Sequence, residues 1–311
     1  MNSKLKKTMS NNSDYRRVVV SSGFLLAFLV LSLAITYGPL ASVAKGNPAL
    51  HSSILITSDE DFTPANGVVS GTGTAENPYL INNLTINDLS PGYGIKVDNS
   101  QGTITKYFNI QRIHSNFSTL PTTGTGANLV WLVNIHTETT ISNVSGNAKN
   151  AEGTVGVALE NSSNITLENL SLNRIGGNGV EIASPYPEFD PSHDITIMHS
   201  KIKAELSGLL LSNSHDITVS SNELTYNCYN GLTILDSYNI LVKYTKTNAN
   251  DTGGILVSGS KSYNINLCDG VSSGNGPLCR TESGIKTTTG EEVDTVGGIA
   301  IVNGASDIKV E

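Results

Sequence analysis

A glycine followed by an alternating apolar triplet recurs through the second half of this chain at nearly constant spacing. The glycines are Gly156, Gly179, Gly208, Gly231, Gly254 and Gly298, so successive steps are 23, 29, 23, 23 and 44 residues. The step of 29 contains a proline-rich insertion at 185–191, and the step of 44 is two periods. A period of this length predicts stacked structural units rather than an ordinary globular domain.

A second phrase, Asn or Asp followed by Ile, keeps the same period. Its members are Asn164–Ile165, Asp194–Ile195, Asp216–Ile217, Asn239–Ile240, Asn264–Ile265 and Asp307–Ile308. In segments such as 195–197 the first and third residues are apolar, and because side chains alternate across a strand this indicates short, half-buried strands. A helix is disfavoured, since no segment after Lys45 keeps a 3.6-residue period for ten residues.

These two phrases predict the fold. If each period is one turn of a solenoid, equivalent residues stack at about 4.8 Å and their Ile, Leu and Val side chains form one continuous core. Parallel crossovers are almost always right-handed. We therefore predict an all-β chain, a right-handed parallel β-helix preceded by one N-terminal hydrophobic helix. The expected boundaries are 1–17 for a cytoplasmic basic segment, 18–44 for a signal peptide or membrane anchor, 45–93 for a lead-in and cap, and 94–311 for the repeats.

Two columns of residues test the register of this solenoid. Six residues after the opening Ile, the residues Lys201, Glu223 and Lys246 stack with alternating charge, and a one-residue slip would bury them. The second column lies five residues after the opening Ile and contains Leu170, Ser200, Asn222 and Thr245. We expect the polar members of this second column to point inward near corners and to hydrogen-bond along the stack. The chain ends two strands into a coil, which predicts either truncation or end-to-end self-association there.

Charge composition excludes one class of partner. The net charge is −8, but residues 1–44 carry five positive charges and one negative, so the remainder carries 14 positive and 26 negative charges, or −12. An acidic body without a basic patch has no electrostatic attraction for nucleic acid, and we predict no nucleic-acid partner.

The N-terminus predicts export. Val18 to Tyr37 is an uncharged run of 20 residues that follows Lys and Arg, so the N-terminus is expected in the cytoplasm and everything after Lys45 outside. The small residues 42–44 favour signal-peptide cleavage, whereas 20 apolar residues are also enough to span a bilayer. The prediction is an extracytoplasmic protein, either secreted or anchored at the cell surface through Val18–Tyr37.

The repeat at 156–170 (GVALENSSNITLENL), together with Asp61–Phe62, Gly67–Val68 and 71–81 (GTGTAENPYLI), resembles the pectin-lyase-like superfamily. It is more similar to archaeal and bacterial surface β-helix proteins grouped with the NosD-like periplasmic copper-binding family. The resemblance covers about 54–311, and residues 112–153 depart from its pattern. It implies the β-helix scaffold and a possible role in copper handling, although such repeats are typical of a scaffold rather than of one activity.

The repeat also stacks candidate metal ligands. His193, Asp194, His215 and Asp216 occupy the same point of adjacent coils, within about 5 Å of their counterparts. They could hold a divalent cation (Ca²⁺, Cu²⁺ or Zn²⁺), with the imidazoles favouring Zn²⁺ or Cu²⁺. The alternative is an ordinary turn, because Ser163, Tyr238 and Tyr263 occupy the same column.

No catalytic residues are assigned. Asp194, Asp216 and Asp236 could form a carboxylate strip, but the polygalacturonase-type signatures are missing, and the only arginines after Arg112 are Arg174 and Arg280. The leading hypothesis is a non-catalytic surface protein that binds carbohydrate or another cell-envelope component. The alternatives are a polysaccharide lyase or glycoside hydrolase, and a NosD-like copper-handling protein.

Two further chemical predictions follow from export. Cys268 and Cys279 flank a flexible loop that a disulfide could close, which leaves Cys228 as a thiol. Glycosylation sequons begin at Asn83, Asn116, Asn143, Asn161, Asn164, Asn169 and Asn250. An Asn-, Ser- and Thr-rich chain also produces such sequons by chance.

Overall fold

The structure is a computed structural model that describes residues 46–116, 126–148, 152–184, 190–269 and 297–310. The predicted N-terminal helix, with the segments 1–17 and 18–44, lies outside the described residues. Among the residues that are described, no helix is both long and apolar enough to cross a bilayer.

The chain winds through three parallel ladders of strands, one strand of each ladder per regular coil. Ladder 1 is a nine-stranded sheet of Ile54–Ile56, Tyr93–Asp98, Asn128–Val133, Val155–Glu160, Val180–Ala183, Leu209–Ser212, Asn230–Leu235, Gly253–Ser258 and Gly297–Val302. Ladder 2 contains the first parts of Tyr79–Ile86 and Phe108–Asn116, then Thr139–Ser142, Ser163–Glu168, Ser192–Met198, Ser214–Ser220, Tyr238–Lys243, Tyr263–Cys268 and Ile308–Val310. Ladder 3 contains Ala49–His51, the second parts of the two long strands, Ser145–Asn147, Ser171–Ile175, Lys201–Ala204 and Glu223–Leu224.

The register of the ladders confirms the predicted parallel β-helix. Ile195 lies opposite Ile165 on one side and Ile217 on the other, and the column continues through Ile240 and Ile265. The residues that follow the repeated glycines are likewise aligned, from Val157 to Val180, Leu209, Leu232, Ile255 and Ile299. These inward side chains are almost completely buried up to the last described coil, where Ile299 is 36% exposed. The core is therefore a set of aliphatic columns along the solenoid axis.

Both test columns behave as predicted. Lys201 lies opposite Glu223 with their charged groups 3.0 Å apart, and Glu223 lies opposite Lys246. In the polar column the backbone N–H of each coil donates to the side chain of the next. The N–H of Leu170 donates to the Ser200 side chain at 3.1 Å, that of Ser200 to Asn222 at 2.9 Å, and that of Asn222 to Thr245 at 3.4 Å. These bonds satisfy corner backbone groups that the strand ladders leave unpaired.

The first coil begins within the segment 45–93 that the sequence assigned to a lead-in and cap. Ala49–His51, Ile54–Ile56 and Tyr79–Ile86 already belong to the three ladders. The chain between the second and third of these strands forms two 3₁₀ turns, Asp59–Asp61 and Pro64–Asn66, and the antiparallel strand Val68–Ser70. This insertion interrupts the period within the segment 45–93.

Candidate functional site

The column that contains the two predicted histidines forms a stack of four rings, His193, His215, Tyr238 and Tyr263, which we call the ring ladder. Successive ring centroids are 5.1, 4.7 and 4.9 Å apart, with interplanar angles of 4°, 13° and 3°. Each ring belongs to the start of a ladder 2 strand, and the parallel pairing fixes the alignment. The stacking that the sequence predicted for the two histidines is therefore present, and it extends into the tyrosines.

A row of carboxylates and amides runs beside the rings. Asp194, Asp216, Asn239 and Asn264 all adopt the left-handed backbone conformation, with φ between 50° and 55°, which Asn and Asp tolerate better than other side chains. The Nδ1 atoms of His193 and His215 bond to the carboxylates of Asp194 and Asp216 at 2.8 and 2.6 Å. Asn239 donates to Asp216, and Asn264 donates to Asn239.

These bonds determine the charge state of Asp216. The hydrogen bond from His215 lowers the pKa of Asp216 below its ordinary value, and the bond from Asn239 lowers it further against the effect of burial. Burial raises the pKa of Tyr238, and Tyr263 and Asp216 raise it further. At neutral pH the strip therefore carries an ionised Asp216 beside the un-ionised phenol of Tyr238.

Four polar ring atoms of the ladder stay available. Across the described residues, no protein group hydrogen-bonds to the Nε2 atoms of His193 and His215 or to the hydroxyls of Tyr238 and Tyr263. The rings are partly exposed, from 18% for the His215 side chain to 42% for Tyr263. The ladder thus presents a row of hydrogen-bonding groups, one on each ring.

The metal-site prediction for His193, Asp194, His215 and Asp216 stays a prediction, although the geometry of these four residues does not favour it. Within the described segments no three His, Cys, Asp or Glu side chains group closely enough to hold a metal ion. Parallel rings 5.1 Å apart place equivalent nitrogens about 5 Å apart, whereas two nitrogens on one Zn²⁺ are at most about 4.2 Å apart. The suggested carboxylate strip is also incomplete, because Asp236 lies at another corner, where it accepts the Lys261 N–H.

The sequence pattern did not indicate His136, a histidine near the ring ladder. His136 Nδ1 lies 2.9 Å from Ser163 Oγ in the next coil, and Ser163 in turn lies opposite His193, so His136 stands two coils before His193. Burial lowers the pKa of His136, and His193 lowers it further while Asp190 opposes them. His136 was missed because it stands three positions before Thr139, the ladder 2 residue opposite Ile165, whereas His193 stands two positions before the equivalent residue, Ile195.

A second polar cluster lies on the outer face of ladder 1 around Trp131, the only tryptophan of the chain. Lys96 lies opposite Trp131, with its ammonium 4.0 Å from the centre of the indole ring and 2.8 Å from Asp98. Burial raises the pKa of Glu160 above its ordinary value, and the charges of Glu181 and Asp98 raise it further. The indole N–H of Trp131 and the ammonium of Lys96 oppose this shift.

The raised pKa of Glu160 predicts a pH-dependent cost to stability. The folded chain favours the protonated carboxyl, so stability falls as pH rises through and above the ordinary value of 4.5. We expect Glu160→Gln to raise the melting temperature by a few degrees at pH 7 and to have no effect near pH 3.5. Thermal unfolding of both proteins across this range measures the difference. A difference in melting temperature that is equal at both pH values would contradict the raised pKa of Glu160.

The predicted disulfide between Cys268 and Cys279 conflicts with the bonded state of Cys228. Cys279 lies outside the described residues, so its pairing with Cys268 stays a prediction. Cys228, however, is disulfide-bonded rather than a thiol. Because the chain has three cysteines, that bond and the predicted one exclude each other within one molecule.

The sequons have a structural explanation. Asn83, Asn143, Asn161, Asn164 and Asn169 occupy corners with φ between 46° and 60°. Asn161 and Asn250 are 4% and 0% exposed, so the folded chain does not present their amides to a glycosyltransferase. Asn116 and the other four stay candidates, since they are half-buried or exposed.

Residues 131–311, more than half of the chain, match the family described as the right-handed β-helix region. The chain belongs to the right-handed β-helix family. This match confirms the predicted fold and its hand. It does not test the NosD-like subgroup, which stays a prediction, and no curated protein sequence matches the chain.

Solved tailspike structures show the same fold at low sequence identity. The enzymatically active domain of tailspike protein 2 from bacteriophage CBA120 matches with a TM-score of 0.50 and 14% identity, over 74% of this chain and 38% of the tailspike chain. The full-length tailspike protein 2 matches with a TM-score of 0.51 and 14% identity, over 71% of this chain. This β-helix chain thus spans 30% of the full-length tailspike. A double mutant of the periplasmic alginate epimerase AlgG matches with a TM-score of 0.38 and 15% identity, over 74% of this chain and 66% of the epimerase chain.

Proposed function

We propose that this β-helix protein is an extracytoplasmic, non-catalytic protein that binds carbohydrate along the ring ladder. The observation that carries the proposal is the row of four stacked rings whose outer polar atoms have no hydrogen-bond partner among the described residues. The extracytoplasmic location is inferred from the uncharged run Val18–Tyr37 and its basic flank.

The chemistry of the ladder suits sugar hydroxyls. A hydroxyl both donates and accepts, so it can pair with an imidazole Nε2 as well as with a phenol. His193 and His215 are held in place by the carboxylates beside them, and the tyrosines by stacking, so little side-chain freedom is lost on binding. The tailspike domain that shares the fold is enzymatically active, so the surface of a β-helix can carry a functional site.

Removing single ring hydroxyls tests the proposal. We expect Tyr238→Phe to weaken binding of the best ligand in a glycan panel about 3- to 10-fold, because one hydrogen bond contributes about 0.5–1.5 kcal/mol. Tyr244→Phe is the matched control, since Tyr244 is 59% exposed at a different corner. Titration calorimetry on both variants measures the loss. Binding that is equally reduced in the control, or undetectable for every glycan, would refute the assignment.

One observation favours a second candidate, a glycoside hydrolase centred on Glu160. A carboxyl with a raised pKa near Asp98 and Glu181 is the type of group that acts as a general acid. Incubation with the same glycans distinguishes the two functions. New reducing ends that disappear in Glu160→Gln would establish catalysis, whereas intact glycans would leave binding as the function.

A further inference from the structure

We infer that the ring ladder takes an extended, uncharged polysaccharide that lies parallel to the solenoid axis, with about one sugar per rung. This inference rests on the proposed function and specifies its ligand class. It is carried by two independent features, the spacing of the rings and the charges beside them.

The spacing selects an extended chain. The three distances between ring centroids differ by only 0.4 Å, from 4.7 to 5.1 Å, so the four rings form a nearly regular array with one ring per coil. The rise per sugar of an extended pyranose chain is close to the spacing between rungs of about 4.8 Å. Such a chain can place a hydroxyl against each ring, whereas a monosaccharide reaches one or two of them.

The charges beside the rings disfavour acidic sugars. Asp194 and Asp216 flank the two histidines, and the pKa of Asp216 is held below its ordinary value. The groups that flank the two tyrosines are the amides of Asn239 and Asn264, which bond to each other. With a net charge of −8 on the chain, a uronate or sulfate at each sugar would be repelled.

The test uses matched polymers and a length series. The probes are β-1,4-linked glucan, mannan, galactan and xylan oligosaccharides of one to eight sugars, each hexose series paired with its C6-oxidised uronate counterpart. We expect affinity for the best neutral series to rise with length and to level off near four to five sugars. The uronate counterpart should bind about tenfold more weakly at low salt, and added salt should reduce this difference.

Asp216→Asn identifies the group responsible. Asparagine occupies the same column at Asn239 with the same backbone conformation, so the variant should fold. We expect it to narrow the gap between the neutral and uronate ligands. Equal or tighter binding of the uronates by the unmutated protein, or full affinity for a monosaccharide, would overturn the inference but leave carbohydrate binding intact. Absence of binding to every probe would overturn the proposed function as well.

Discussion

Replacing Asn250 with alanine is expected to lower the free energy of unfolding by roughly 3–5 kcal/mol, because several buried groups lose their partner at once. Asn250 is fully buried inside the corner that follows ladder 3. Its Oδ1 accepts the backbone N–H of Asn227 at 3.0 Å and the side-chain amide of Asn227 at 2.8 Å. Its own amide donates to the carbonyl of Leu224 at 3.0 Å. Alanine satisfies none of these groups and also leaves a cavity.

Urea unfolding of the purified chain measures this loss. Asn173→Ala is the control, since Asn173 is exposed on ladder 3 and its side chain makes no hydrogen bond in the described structure. The two variants remove the same atoms from the same type of ladder, so the difference reports burial and bonding. A loss below about 1 kcal/mol for Asn250→Ala would show that water replaces the missing amide.

Gly179→Ala is expected to destabilise the chain by at least about 2 kcal/mol through overpacking. A methyl group at this position would lie 2.6 Å from the carbonyl oxygen of Gly208 in the next coil and would collide with the side chain of Ile202. Backbone atoms cannot move aside without breaking the ladder. The same close approach recurs at Gly156, Gly208 and Gly231, which explains why the repeat begins with glycine.

Gly46→Ala supplies the comparison for this experiment. A methyl group on Gly46 meets nothing within 4 Å, so that variant isolates the general effect of glycine replacement. Thermal melts of the three proteins should show a lower midpoint only for Gly179→Ala. An unchanged midpoint there would mean that the coils can separate enough to admit a methyl group, and that the glycine column has another cause.

The regular part of the fold was predictable from spacing alone. In a solenoid each coil contacts only its neighbours, so residues one period apart in sequence are neighbours in space. The pairing of Ile195 with Ile217 and of Lys201 with Glu223 follows directly from that rule. The strands before Tyr79 could not be placed in this way, because the insertion between Ile56 and Tyr79 breaks the period.

Repeat spacing did not predict how the side chains of the candidate site are oriented. The period placed His193 above His215, but it did not predict that their rings lie parallel or that each Nδ1 bonds to the neighbouring carboxylate, Asp194 or Asp216. The cluster of Lys96, Trp131 and Glu160 was missed because outward positions carry no apolar pattern.

The sequence by itself determined which residues share a column, because side-chain alternation and a fixed period leave one register that buries the aliphatic residues. Only the tertiary structure decided what the surface columns do. Long polar side chains choose their rotamers from contacts across several coils, and those contacts exist only after the coils have stacked.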